Sequence, residues 1–224
     1  METPESTTNS SMALLRTIAM GSAIAMIIGG LSLLGFDLYR DLIEQTENAQ
    51  KNLERAFKET QRQTFVYSSM LAQNPLVQRG AHFRQTGSLL NQLTPTLRES
   101  KVDRITVHDS RSVIMAQAHA PEKINVQESH AHLKQAQQGK TLSTIYNQAN
   151  QWHLETTHPI FHQMEKELIV GTVSVGYTLN AQFASALEQQ VGHPIILSHN
   201  STVLGTSLKN KIPKHWDSGQ STYT

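Results

Sequence analysis

The chain has 224 residues, of which 38% are hydrophobic and 17% are charged, a composition suited to a folded domain. Its net charge of +1 and the lack of a lysine–arginine run argue against a nucleic-acid-binding protein. Cysteine is absent, which excludes disulfides, thiol catalysis and thiolate metal sites.

The first predicted element is a transmembrane helix over residues 17–35, which are uncharged and about as many as a helix needs to cross a bilayer. A cleaved signal peptide would have a shorter apolar segment and a small-x-small cleavage site, so we expect an uncleaved anchor behind an N-terminal tail, residues 1–16. The charges that flank the span do not favour a cytoplasmic N-terminus. Gly21, Ala25 and Gly29 recur every four residues, a spacing that allows two membrane helices to pack closely. The general abundance of small residues in such helices explains this spacing equally well.

A long stalk helix is predicted over residues 37–75. This stretch lacks glycine and is rich in strong helix formers, with a weakly apolar stripe at three- and four-residue steps. Asn74 and Pro75 end it, because the residue before a proline is disfavoured in helical geometry. The stripe is too polar for a strong coiled coil, so we expect the far half of the helix to pack on its own domain or on a partner stalk.

The remainder predicts an α+β domain with a mostly antiparallel sheet of five strands and flanking helices. A helical stretch over residues 76–100 is expected to be interrupted at Gly80, Gly87 and Pro95. The predicted strands cover residues 102–108, 113–118, 141–146, 152–160 and 168–177, and the predicted helices cover residues 127–138 and 181–190. The last strand is the most apolar, which predicts a central position.

Three segments carry a resemblance to a known family. They are ITVHDSRSVIMAQAH (residues 105–119), HLKQAQQGKTLSTIY (132–146) and HPIFHQMEKELIVGTVSVGYTLN (158–180). In this order they resemble the Cache sensor domains, extracytoplasmic relatives of PAS domains. More narrowly, they resemble the double-Cache regions of bacterial histidine kinases, diguanylate cyclases and chemoreceptors. The resemblance places a sensor domain at residues 76–191 and the start of a second, incomplete module at residues 192–224.

The resemblance implies a signal-transduction receptor with a single-pass anchor in the bacterial inner membrane and its sensor domain in the periplasm. We expect a homodimeric, non-catalytic binding module, with any kinase or cyclase domain beyond Thr224 in a longer receptor. No cofactor is expected. The alternative is an anchored scaffold that displays the domain to a protein partner without a small ligand.

The predicted ligand site follows from the family's pocket, which lies between one sheet face and the segment that joins the second and third strands. Strand alternation puts Trp152, Thr156 and His158 on one face, and Arg104 and Tyr146 lie on flanking strands. An aromatic group, a hydroxyl and a cation suit a small organic acid or amine.

The eleven histidines show no spacing typical of a metal site, and we expect most of them to be solvated. His130 and His132 form the closest pair. We predict them at a helix start, where side chains two residues apart diverge. A response to pH remains open, since histidine titrates near neutral pH.

Overall fold

The computed structural model describes residues 36–199 and 202–208. The helices are α1 (Phe36–Gln73), α2 (Pro75–His82), α3 (Thr86–Glu99), α4 (Ala131–Ala136) and α5 (Ala181–Val191). The strands are β1 (Arg104–Asp109), β2 (Ile114–Gln117), β3 (Leu142–Gln148), β4 (Gln151–Phe161), β5 (Ile169–Thr178), β6 (Ile196–His199) and β7 (Thr202–Thr206). The predicted α+β class is confirmed.

The main sheet is antiparallel and has five strands in the order β2-β1-β5-β4-β3. The predicted central position of the last apolar strand is confirmed, because β5 lies third. It pairs with β1 on one side and β4 on the other, so that Val173 of β5 lies opposite Val107 of β1 and His158 of β4.

The predicted stalk helix is confirmed within the described residues as α1. It ends at Gln73, and the next residue begins a new helix: Asn74 Oδ1 accepts the amide hydrogens of Leu76 and Val77. An asparagine at the N-cap and a proline in the first turn are the usual way in which a helix begins.

The expected interruptions within residues 76–100 are only partly right. The chain leaves helical geometry at Phe83–Gln85, where Arg84 has a φ of 53°. Gly80 lies inside α2, and Gly87 and Pro95 lie inside α3, so none of the three interrupts its helix. Gly80 packs closely on Leu89, and Pro95 lies on the exposed side of α3.

The helix predicted over residues 127–138 is wrong in its first half, since α4 covers only Ala131–Ala136. The residues before it pair with the edge of β2: Ile114 donates to the carbonyl of Val126, and Glu128 donates to the carbonyl of Ser112, both at 2.9 Å. These tertiary hydrogen bonds hold the backbone extended. Local sequence propensity does not indicate these long-range hydrogen bonds.

The two faces of the main sheet differ sharply in polarity. On the helix face, the buried aliphatic residues Ile105, Val107, Leu154, Val173 and Val175 form the core. The opposite face, here called the polar face, carries a nearly continuous set of buried polar side chains: Thr106, His108, His153, Glu155, Thr157, Thr172 and Ser174. Burying so many polar groups is costly unless they are hydrogen-bonded, so this face is the unusual part of the fold.

The chain divides into two compact units. One comprises residues 60–148 and 153–178 and contains most of the main sheet with α2, α3 and α4. The described part of the other comprises residues 36–59, 149–152, 179–199 and 202–208, and it includes α5 and the β6–β7 hairpin. In α5, Asn180 caps the first turn and Gly192, with a φ of 79°, ends the last, as the sequence predicts. The predicted module boundaries stay a prediction.

The predicted membrane span lies outside the described residues, together with Gly21, Ala25 and Gly29. Within residues 36–199 and 202–208, no helix combines the length and the apolar composition needed to cross a bilayer.

Candidate ligand site on the polar face

The centre of the polar face is a buried ion pair between Arg104 of β1 and Glu155 of β4. The Nε of Arg104 lies 2.8 Å from Oε1 of Glu155, and the two side chains are 14% and 4% exposed. Arg104 and Glu155 both lie opposite Gly176 of β5 in the sheet register. The absence of a side chain at Gly176 leaves the room in which the pair meets. The positive charge of Arg104 keeps the pKa of the Glu155 carboxyl below its usual value, against the effect of burial.

Tyr146 of β3 adds a third group, since its phenol interacts electrostatically with Glu155. Burial and the negative charge of Glu155 raise the pKa of Tyr146 far above its usual value, so the phenol keeps its proton. Glu155 therefore accepts a hydrogen bond from a guanidinium and has a protonated phenol in its surroundings. A buried carboxylate needs such partners to remain ionised.

Imidazole rings surround Tyr146. The centroid of its ring lies 4.8 Å from that of His130, 4.7 Å from that of His132 and 5.5 Å from that of His153. His119, which follows β2, accepts the amide hydrogen of Ile105 at its Nδ1. We call His119, His130, His132 and His153 the histidine cluster.

The expectation that His130 and His132 diverge is wrong. Their rings stack, with centroids 5.3 Å apart and planes within 8° of parallel. His130 is the N-cap of α4 and has an extended backbone, with φ of −96° and ψ of 142°. Because only His132 is inside the helix, the divergence of helical neighbours does not apply to the pair.

Burial lowers the pKa values of His119, His132 and His153 to about 4. The positive charge of Arg104 adds to this effect at His119 and His153, while the negative charge of Glu155 opposes it at all three residues. These imidazoles are therefore neutral at pH 7.

The segment between β2 and β3 lies over the polar face. His108 Nε2 lies 2.8 Å from Glu128 Oε2, and the amide of Gln148 donates to Glu128 Oε1 at 2.7 Å. Burial alone would raise the pKa of Glu128, but the hydrogen bonds and the charge interaction with His108 lower it to about 2. The position of this segment agrees with the pocket that the family resemblance implies.

Several polar atoms of this face have no hydrogen-bond partner. They belong to side chains that are at most 4% exposed, and they are His108 Nδ1, Gln117 Oε1, His153 Nδ1 and Thr172 Oγ1. A folded domain contains only a few groups of this kind, and each needs an explanation, such as a water molecule, an ion or a ligand that completes its hydrogen bonds. In the described part of the chain, no three histidine or carboxylate side chains are placed to bind one metal ion.

The structure brings together two of the five predicted ligand residues, Arg104 and Tyr146. Thr156 and His158 lie on the helix face, where Thr156 Oγ1 is 2.7 Å from Thr64 Oγ1 and His158 Nδ1 is 2.8 Å from Ser68 Oγ. Trp152 contacts His199 of β6, with ring centroids 4.2 Å apart. The sequence analysis assigned the alternating faces of β4 correctly, but Arg104 and Tyr146 lie on the face opposite to that of Thr156 and His158.

Glu155, His153 and His132 were missed by the sequence analysis. One signal was available: Glu155 is a carboxylate in the middle of a predicted strand, and it shares the second face of that strand with His153. An ionisable residue at such a position needs a partner. The partner itself lies 51 positions earlier in the sequence and is found only in the folded sheet.

No protein-family model matches the sequence, and no curated protein matches it significantly. Similar folds occur among solved sensor domains. The sensor domain of the histidine kinase DctB from Vibrio cholerae aligns with a TM-score of 0.56 and 13% identity, over 76% of this chain and 69% of that one. The periplasmic domain of LuxQ from Vibrio cholerae gives 0.51 and 14%, over 76% and 81%. The extracellular domain of vpHK1S-Z8 gives 0.57 and 12%, over 77% and 71%.

At these identities the likeness concerns the fold, and it agrees with the resemblance of the three sequence segments. The described part of the chain has the fold of the Cache/PAS-like periplasmic sensor domains.

Proposed function

We propose that this chain is the extracytoplasmic sensor region of a bacterial signal-transduction receptor and that it binds its stimulus on the polar face. The fold supports the assignment to the sensor class. The observation that carries the proposal is the set of buried, unpartnered polar atoms on the face beneath the β2–β3 segment. Burying polar groups without partners destabilises a domain, and a requirement for binding is the simplest reason to retain them.

The expected arrangement has a cytoplasmic tail at residues 1–16, a single membrane span at residues 17–35 and the sensor domain in the periplasm. The fold of the described residues supports this topology, since the similar domains from DctB and LuxQ are a sensor domain and a periplasmic domain. A reporter enzyme that is active only outside the cytoplasm should therefore be active when it is fused after Thr224.

A small ligand, an organic acid or an amine, would meet Arg104 and Tyr146 first. Because Arg104 and Glu155 are already paired with each other, a carboxylate ligand has to compete for the guanidinium and an amine has to compete for the carboxylate. The unpartnered His153 Nδ1 offers an additional hydrogen bond. Trp152 belongs to the compact unit that contains α5 and the β6–β7 hairpin, and it remains a predicted ligand residue there.

Thr156 and His158 act in transmission within this proposal. They are part of β4, which also carries Glu155, and their side chains bond to Thr64 and Ser68 of α1. A shift of β4 on ligand binding would change these contacts with the stalk helix. A ligand can drive such a change only through different affinities for two states.

A second copy of the chain is the proposed partner of α1. Phe65, Val66 and Met70 are 46–50% exposed on the surface of this helix. Clusters of exposed apolar side chains are typical of interaction surfaces. The same observation favours the alternative function, a scaffold that binds a protein partner and no small ligand.

A thermal-shift screen of the full chain in detergent at pH 7.5 tests the proposal. For a sensor, a ligand should raise the melting temperature in proportion to the logarithm of its excess over Kd. Tyr146→Phe should weaken this response, whereas the matched variant Tyr67→Phe on α1 should not. No response to any organic acid, amine or metal would favour the scaffold function.

A further inference from the structure

We propose that the stimulus read at the polar face is the proton, and that acidification releases the segment of residues 118–141 from the sheet by charging His132 and His153. The inference rests on the proposed function, because it names the stimulus of the same site. It differs from a small-molecule site in that the closed state needs no space for a ligand.

The first argument is the packing around Tyr146. Three imidazoles contact the ring of Tyr146. Two of them, His130 and His132, belong to residues 118–141, here called the covering segment, and the third, His153, belongs to the sheet. In the closed state the chain's own side chains therefore pack against Tyr146. His132 is 7% exposed and His153 is 1% exposed, so a charge on either ring would be buried.

The second argument is the charge of the surroundings. The groups that face His132 or His153 are Arg104 and His108 of β1, Glu155 of β4, Tyr146 of β3, and His119, Glu128 and His130 of the covering segment. Glu155 interacts with all three buried rings, but its charge is already paired with that of Arg104. The other carboxylate, Glu128, is hydrogen-bonded to His108 and Gln148, so two or three additional positive charges would exceed the negative charge available within the closed face.

The direction of the effect follows from linkage. In the closed state the pKa values of His119, His132 and His153 are about 4, and in an open, solvated state they return to about 6.5. The open state binds more protons between these two values, so the closed state is fully favoured above pH 6.5 and loses its advantage as the pH falls toward 4. Each histidine raises the opening constant about 20-fold between pH 7 and pH 5.

Amide hydrogen exchange of the full chain, read by mass spectrometry and corrected for intrinsic rates, tests the inference. We expect protection of residues 118–141 to fall steeply between pH 7 and pH 5, while protection of the central strand β5 stays high. His132→Phe and His153→Phe keep an aromatic ring but cannot be charged, so the double variant should lose about 400-fold of this pH response. If the double variant does not fold, each single variant should lose about 20-fold.

The matched control is His162→Phe, because His162 also contacts another histidine ring, that of His82, but lies outside the cluster. It should leave the pH response unchanged. Equal protection at pH 7 and pH 5 in the native chain, or the same pH response in the His132 and His153 variants, would overturn the inference. Both results leave the proposed sensor function standing if a small molecule stabilises the chain at pH 7.5, since that screen is made where the cluster is neutral.

Discussion

Arg104 and Glu155 form a hydrogen-bonded ion pair at 2.8 Å although a complete strand lies between theirs. The two residues reach each other across Gly176, the one position of β5 at which they are both register partners. A side chain there would collide with the carbonyl of Leu154 and the side chain of Glu155. The pair, the phenol of Tyr146 and the histidine cluster thus depend on one glycine in the middle of the sheet.

Removing one partner of the ion pair should be much worse than removing both. Arg104→Met leaves Glu155 charged and buried, and the free energy of unfolding should fall by about 3–5 kcal/mol. The double variant Arg104→Met/Glu155→Leu removes both charges and should recover most of that loss. Urea unfolding followed by circular dichroism measures all three chains. Additive losses in the double variant would contradict the assigned pairing.

Gly176→Ala should destabilise the domain and disturb the ion pair, because its methyl group meets backbone and side-chain atoms of β4. The control is Gly87→Ala, whose added methyl group has no neighbour within 4 Å and which lies in helix α3. The control should be stabilised by up to about 1 kcal/mol, since alanine favours a helix over glycine. Thermal melts of both variants provide the comparison. If Gly176→Ala melted at the same temperature as the native chain, β5 would tolerate a side chain at this position.

Glu128 should give the domain a second acid transition, separate from that of the histidines. Its folded pKa of about 2 lies below its unfolded value of 4.5, so its contribution is present above pH 4.5 and is lost as the pH falls toward 2. The contribution amounts to about 3 kcal/mol. Glu128→Gln should reduce the pH dependence of stability between pH 4.5 and pH 2 by about this amount but keep that between pH 6.5 and pH 4. Unfolding in urea at several pH values measures both windows.

Of the two polar contacts between α1 and β4, the one made by Ser68 should contribute more to the free energy of unfolding than the one made by Thr64. Ser68→Ala leaves His158 Nδ1 without its partner in a residue that is 9% exposed, and should cost about 1–3 kcal/mol. Thr64→Val should cost less, because the hydroxyl of Thr156 keeps its contact with Ser143 at 2.7 Å. Chemical unfolding of the two variants decides the order. The reverse order would mean that another group satisfies His158.

The proposed dimer should depend on the exposed apolar residues of α1. Val66→Lys/Met70→Lys places two charges on that surface and should shift the full chain from dimer to monomer in analytical ultracentrifugation. Met164→Lys serves as the control, because Met164 is 87% exposed and lies between β4 and β5. A native chain that sediments as a monomer at all concentrations would exclude the dimer.

The sequence by itself determined the elements with strong local signals. The long α1 follows from a run of helix formers ended by Asn74 and Pro75, and the start and end of α5 follow from Asn180 and Gly192. The central position of β5 follows from its apolar composition. In each case the information lies within a few residues of the element, so propensity and capping chemistry are sufficient.

Only the tertiary structure decided the content of the polar face. Residues 127–130 were predicted to be helical but lie outside helix α4, because hydrogen bonds to the edge of β2 hold the preceding backbone extended, and His130 stacks on His132. Arg104, Tyr146 and Glu155 come from three strands, and alternation gives the two faces of a strand without saying which neighbours each face meets. Long-range register places those neighbours, and register is set by the packing of the whole sheet.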